Sequence, residues 1–137
     1  MYEYFSHPSD IGIKGIGNNF EEAFCEAAKG MFAIMANLDA FSPEIKIKIE
    51  CDGVDREFLF INFLNKLLLE YNLKKAIFFD FKILKMTDVN LVAEIIGEKL
   101  KINHKNETKT EVKAATPCEL KVEKQNDLYI AQCVLDI

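Results

Sequence analysis

The chain has 137 residues, half of them hydrophobic and 28% charged, and a formal net charge of −5. With only three prolines and six glycines, this composition excludes disordered, fibrous and low-complexity chains and supplies enough apolar residues for a substantial core. The acidic balance argues against a broad surface for nucleic-acid phosphates, leaving room only for a local basic patch.

Met1-Tyr2-Glu3-Tyr4 lacks the basic and apolar regions of a signal peptide, and the most apolar segment is interrupted by Asn62, Asn65 and Lys66. The expectation is a soluble cytoplasmic protein without a membrane span. Cys25, Cys51, Cys118 and Cys133 form no C-x-x-C pair and each falls within an apolar pattern, which reads as free structural thiols.

Two short strands, Tyr2 to Ser6 and Ile11 to Gly17, flank the polar knot Ser6-His7-Pro8-Ser9-Asp10. His7 can carry a proton or bind a metal, and Asp10 is an acceptor-only carboxylate. The same residues also suit a plain turn in which Asp10 accepts main-chain N–H bonds. Gly12, Gly15 and Gly17 lack the lysine and hydroxyl residue of a phosphate loop, so close backbone approach explains them better.

Asn19, with Glu22 three residues on, predicts the start of a helix that lines up Phe20, Ala23, Phe24, Ala27, Ala28, Met31, Phe32 and Met35 on one face. Pro43 marks the exit. Glu44 to Cys51 then alternates isoleucine with lysine or glutamate, the pattern of a strand with one wet face. From Asp55 to Tyr71 a second helix is apolar almost all round and must be covered on several sides.

Strands follow at Ala76 to Lys85, Val89 to Ile96, Thr110 to Val122 and Leu128 to Asp136, with turns at Thr87-Asp88 and Gln125-Asn126-Asp127. Lys99 to Thr110 reads as a mobile surface loop, with His104 as a solvated loop residue. The fold class is therefore α+β, two helices packed on mainly antiparallel sheet.

No G-x-S-x-G elbow, H-E-x-x-H helix or paired-acid motif is present. The last strand ends in Val134-Leu135-Asp136-Ile137, which sets a side-chain carboxylate beside the terminal one. Were this end to lie beside Asp10, the oxygens would suit a hard divalent cation such as calcium or magnesium rather than zinc. A strand end without ligand duty fits the same residues.

Several ordered blocks carry a resemblance to the archease family over essentially the whole length. His7-Pro8-Ser9-Asp10-Ile11-Gly12-Ile13 resembles the family's H-T-A-D-I-G-I, and Phe20-Glu21-Glu22-Ala23-Phe24 its L-E-E-A-F helix. Phe63-Leu64-Asn65-Lys66-Leu67-Leu68 resembles W-L-N-E-L-L, Glu111-Val112-Lys113-Ala114-Ala115-Thr116 resembles E-V-K-A-V-T, and Val134-Leu135-Asp136-Ile137 the closing V-L-D-I. Pro8, Ser9 and Lys66 depart from that pattern, the last placing a cation where the family usually has an acid.

The resemblance implies a single archease-like domain over residues 1–137. It further implies a non-enzymatic accessory protein of the tRNA-splicing RNA ligase, which promotes metal-dependent guanylylation of the ligase histidine and multiple turnover. The implied metal site is Asp10, Asp136 and the main chain of Ile137, holding a divalent cation: calcium first, with magnesium or manganese as alternatives. His7 is the implied support of the opening loop. Lys113 is either a residue that helps arrange the triphosphate or an ordinary lysine on a wet strand face. The implied partners are the ligase and, at one remove, an RNA helicase, with RNA touched only indirectly. A chaperone-like binding module for RNA-processing proteins and a metal-dependent phosphoesterase are the alternatives.

Overall fold

The computed structural model describes all 137 residues. Strands β1 (Tyr2–His7) and β2 (Asp10–Gly17) form the opening hairpin, followed by helix α1 (Phe20–Met35). Strand β3 (Ile45–Asp52), helix α2 (Arg56–Lys74), β4 (Ala76–Met86), β5 (Asn90–Lys99), β6 (Ala114–Gln125) and β7 (Leu128–Asp136) complete the chain. Every strand pair is antiparallel, in one sheet ordered β1-β2-β7-β6 and another ordered β3-β5-β4.

Both helices lie between the sheets. Helix α1 packs on β1, β2 and β7 of the first and on β4 of the second, while α2 packs on β6 and on β3. This explains why α2 carries apolar residues nearly all round: Leu59, Phe60, Ile61, Phe63, Leu64, Leu67 and Leu68 are all buried, facing different neighbours. One cluster of 30 buried residues joins both layers, with Phe24 centred among Phe60 and Phe63 at ring separations of 5.0 and 6.1 Å. The α+β reading of two helices packed on mainly antiparallel sheet holds, the strands dividing into two small sheets.

Local chemistry starts the helices where the sequence predicts. Asn19 accepts from the Glu22 N–H at 2.7 Å and Asp55 from the Phe58 N–H at 2.9 Å. Helix α2 runs three residues beyond Tyr71 and stops at Lys75, whose φ of 52° is left-handed. Gly15 permits the contact of α1 with β2, since a β-carbon there would stand 2.0 Å from the Ala23 carbonyl oxygen. None of the glycines has positive φ, so Gly12, Gly15 and Gly17 serve close approach, as expected.

Three expectations fail. Residues 99–110 are not a free loop but a strap across the end of α1. Lys109 N–H and Thr110 N–H donate to the Met35 and Ile34 carbonyls at 2.8 and 3.2 Å, and Ala36 bridges to Thr108. Strand β6 begins at Ala114 rather than Thr110, and the Lys109 and Thr110 N–H groups are turned to the end of α1 instead of to a strand. His104 is not solvated either: it is 3% exposed and stacks on Phe41 with ring centres 4.3 Å apart.

The four thiols are free, as predicted. Burial pushes Cys25 and Cys133 up to about 12 and Cys51 to about 11. Cys118 is exposed, because the register of β6 shifts between Thr116 and Lys121 and lifts this residue out of the regular ladder.

Candidate functional site

The knot of the sequence is a two-residue hairpin turn. His7 pairs with Asp10 in the β1–β2 register, with Pro8 and Ser9 between them. Proline presets the first turn position, and Ser9 takes a φ of 65°, as the second position of a type II turn demands. That turn sets where the Asp10 carboxylate begins.

The opposite end of the chain arrives beside it through register alone. Ile11 pairs with Leu135 in the β2–β7 ladder, so the next step brings Asp10 level with Asp136. Asp136 in turn pairs with Ala114 on β6, and the Lys113 N–H donates to the Asp136 carbonyl at 2.8 Å. His7, Asp10, Asp136 and Ala114 thus form one transverse row. Leu135 and Ala115 belong to the core and Ile11 packs against it, so strand alternation puts the row on the sheet's outer face.

Within the row, Asp136 is exposed and Asp10 half-buried. Ile137 turns its side chain onto the core, leaving its carboxylate at the strand end. Asp10 Oδ2 is 3.7 Å from His7 Nδ1, a ring nitrogen that is buried and has no hydrogen-bond partner. The other ring nitrogen, Nε2, lies 3.4 Å from Cys118 Sγ. Neither Asp136 nor the terminal carboxylate enters an ion pair, and Asp10 has only His7. Lys113 is exposed and engaged through its main chain only.

An anionic row whose carboxylates form no ion pair with lysine or arginine fits an oxygen-ligated cation. No three His, Cys, Asp or Glu side chains converge as a complete metal centre, so such an ion would need main-chain or terminal oxygens as well. A groove of about 550 Å³ runs beside the hairpin, lined among others by Ser6, His7, Asp10, Ile34 and Lys109. Lys109 was not singled out in the sequence, because nothing local says that the strap carries it to this end of the sheet.

Asn65 is a second missed residue. Its amide accepts from the Ala115 N–H at 2.9 Å and donates to the Ala115 carbonyl at 3.1 Å. The side chain of α2 thereby takes the place of a missing strand along β6, one residue from the row. Lys66, which places a cation where the family pattern has an acid, lies close enough to Cys51 for its charge to act on that thiol.

These features define a small α+β protein whose helices are enclosed by two antiparallel sheets, with an acidic, solvent-accessible strand end. Residues 2–137 match the family model described as the Archease protein family (MTH1598/TM1083). Protein archease of Pyrococcus abyssi is 37% identical over 99% of this chain and 98% of its own length. The Danio rerio protein archease is 32% identical, over 99% of this chain and 85% of its own. This chain belongs to the archease family.

The solution structure of Methanobacterium thermoautotrophicum protein 1598 superposes with a TM-score of 0.82 at 28% identity, covering 99% of this chain and 98% of that one. A Thermotoga maritima crystal structure, described as an archease, possible chaperone, shares the fold with a TM-score of 0.67 at 21% identity, over 100% and 98% of the two chains. No helix here is long and apolar enough to cross a membrane.

Proposed function

We propose that this chain is an accessory protein of the tRNA-splicing RNA ligase, promoting that enzyme's metal-dependent guanylylation and multiple turnover in the cytoplasm without being an enzyme itself. Family membership supports the reading, and one observation carries it: Asp10 and Asp136 stand level on neighbouring strands beside the chain terminus, and neither carboxylate is paired with a lysine or arginine.

In this reading Asp10, Asp136 and the Ile137 main chain hold a divalent cation, calcium first and magnesium or manganese as alternatives. When bound, such an ion supplies charge neutralisation for phosphate oxygens. The chain's own residues do the rest. The Pro8-Ser9 turn fixes Asp10, the Lys113 N–H fixes the strand end at Asp136, and His7 stands behind Asp10 as an orienting group. The exposed Lys113 ammonium adds a positive charge for the triphosphate at the docked surface. The ligase is the direct partner, with an RNA helicase and RNA reached through it.

The test is a multiple-turnover assay of the cognate ligase with wild type, Asp10→Ala, Asp136→Ala and a chain lacking Ile137. Wild type stimulates and the three variants do not. Undiminished stimulation by all three would remove the metal-site mechanism. The description of the Thermotoga maritima neighbour favours a second reading, a chaperone-like binding module. Under it, wild type would leave ligase turnover unchanged.

A further inference from the structure

His104 is the one buried titratable side chain outside the acidic row with a ring nitrogen committed as an acceptor. The Lys101 N–H donates to its Nδ1 at 3.0 Å, so the ring proton sits on Nε2, which faces Glu98 Oε1 at 3.4 Å. The main chain closes the same turn, His104 N–H donating to the Lys101 carbonyl at 2.9 Å and Glu107 N–H to the His104 carbonyl at 2.9 Å. From Glu107 the strap continues to Asn37, whose N–H donates to the Glu107 carbonyl at 2.8 Å, and then to the last carbonyls of α1.

The charged groups facing His104 are already matched with one another. From β5, Glu98 binds Lys101 Nζ at 2.9 Å and the Ser42 N–H at 2.8 Å. From the segment before β3, Glu44 binds Lys101 Nζ at 2.8 Å and the Lys99 N–H at 3.0 Å. From the strap itself, the Lys101 ammonium sits between the two carboxylates, and it holds both below the usual carboxylate range. Phe41 covers the ring face. A second proton on His104 would put an N–H against the Lys101 N–H, and that hydrogen bond cannot survive it.

We propose that His104 is a proton-sensitive catch: protonation at Nδ1 breaks the bond from Lys101 and releases the Lys101–Thr110 strap from the end of α1. The strap carries Lys109 to the groove beside Asp10 and runs on to Lys113, so its release loosens the approach to the acidic row while the sheets stay intact. The device works in the isolated protein and does not depend on a ligase partner.

The experiment is residue-resolved NMR from pH 8 to pH 5, reading the two histidine rings and amide protection normalised for intrinsic exchange. Protection at Lys105, Glu107, Lys109 and Thr110 falls at least about tenfold, the scale of one lost buried hydrogen bond, in step with the His104 ring signal and not with that of His7. Amides of β7 keep their protection. His104→Asn, whose amide oxygen can still accept from Lys101, removes the pH response. Strap protection that stays constant while the His104 ring titrates would overturn the proposal, as would a loss that follows His7 or persists unchanged in His104→Asn. The ring and amide signals of wild type decide the matter alone if the variant does not fold.

Discussion

Asn65→Ala is the sharpest test of how α2 supports the site. Strand β6 is a sheet edge with β7 on one side only, so the Ala115 N–H and C=O that point away from β7 depend on the Asn65 amide, at 2.9 and 3.1 Å. Ala115 is only 5% exposed, which keeps water from substituting freely. Two hydrogen bonds at a net ~1 kcal/mol each, plus a share of the cost of leaving a buried donor and acceptor unmade, give a loss of about 2–4 kcal/mol. For a chain of this size that lowers Tm by roughly 10 °C. Urea unfolding followed by circular dichroism, together with exchange of the Ala115 amide, measures both ends of the argument. Asn65→Asp keeps the volume but sets a carboxylate against the Ala115 carbonyl, and it loses stability on the same scale. If Asn65→Ala unfolds within about 0.5 kcal/mol of wild type and the Ala115 amide stays protected, the side chain is not substituting for a strand.

Gly15→Ala drives a methyl into the main chain of α1, 2.0 Å from the Ala23 carbonyl oxygen and 2.6 Å from the Ala27 nitrogen. It costs about 3 kcal/mol or more, read as a large drop in the urea midpoint, and a wild-type midpoint would contradict the packing described. Thiol titration with a disulfide reagent at pH 8 gives one fast cysteine, the exposed Cys118. Cys25 and Cys51, part-buried and raised by burial, react slowly, Cys133 reacts only as the protein opens, and Cys118→Ser abolishes the fast phase. Burial and then the neighbouring Tyr2 push Tyr4 from 10.0 up to about 12. Its contribution to stability is full below about pH 10 and is lost as pH rises toward 12. The urea midpoint therefore falls over that window, and in Tyr4→Phe it falls less steeply. A single unfolding transition, seen equally by probes in both sheets, is the expected behaviour of one cooperative unit over residues 1–137.

Much of the architecture is legible without coordinates because its signals are local. The caps Asn19 and Asp55, the apolar stripe of α1 and the alternating isoleucines of β3 each depend on neighbours within a few residues. His104 and Lys109 were misread or passed over for the opposite reason. A polar run between strands looks solvated, yet its Lys109 and Thr110 N–H groups bond the last carbonyls of α1, and a donor used by a helix so distant in sequence leaves no periodic trace. The exposure of Cys118 was not legible in its apolar surroundings because a register shift on one strand interrupts the alternation there.

The acidic row divides along the same line. Residue types determine that Asp10, Asp136 and the terminal carboxylate are hard oxygen donors, and the Pro8-Ser9 turn sets the local geometry of one of them. That the two ends of the chain meet is decided by the β2–β7 ladder, where the pairing of Ile11 with Leu135 brings Asp10 level with Asp136. Pairing between segments more than 120 residues apart is chosen by which faces bury best against α1, and that choice exists only once the helices and both sheets have assembled around a common core.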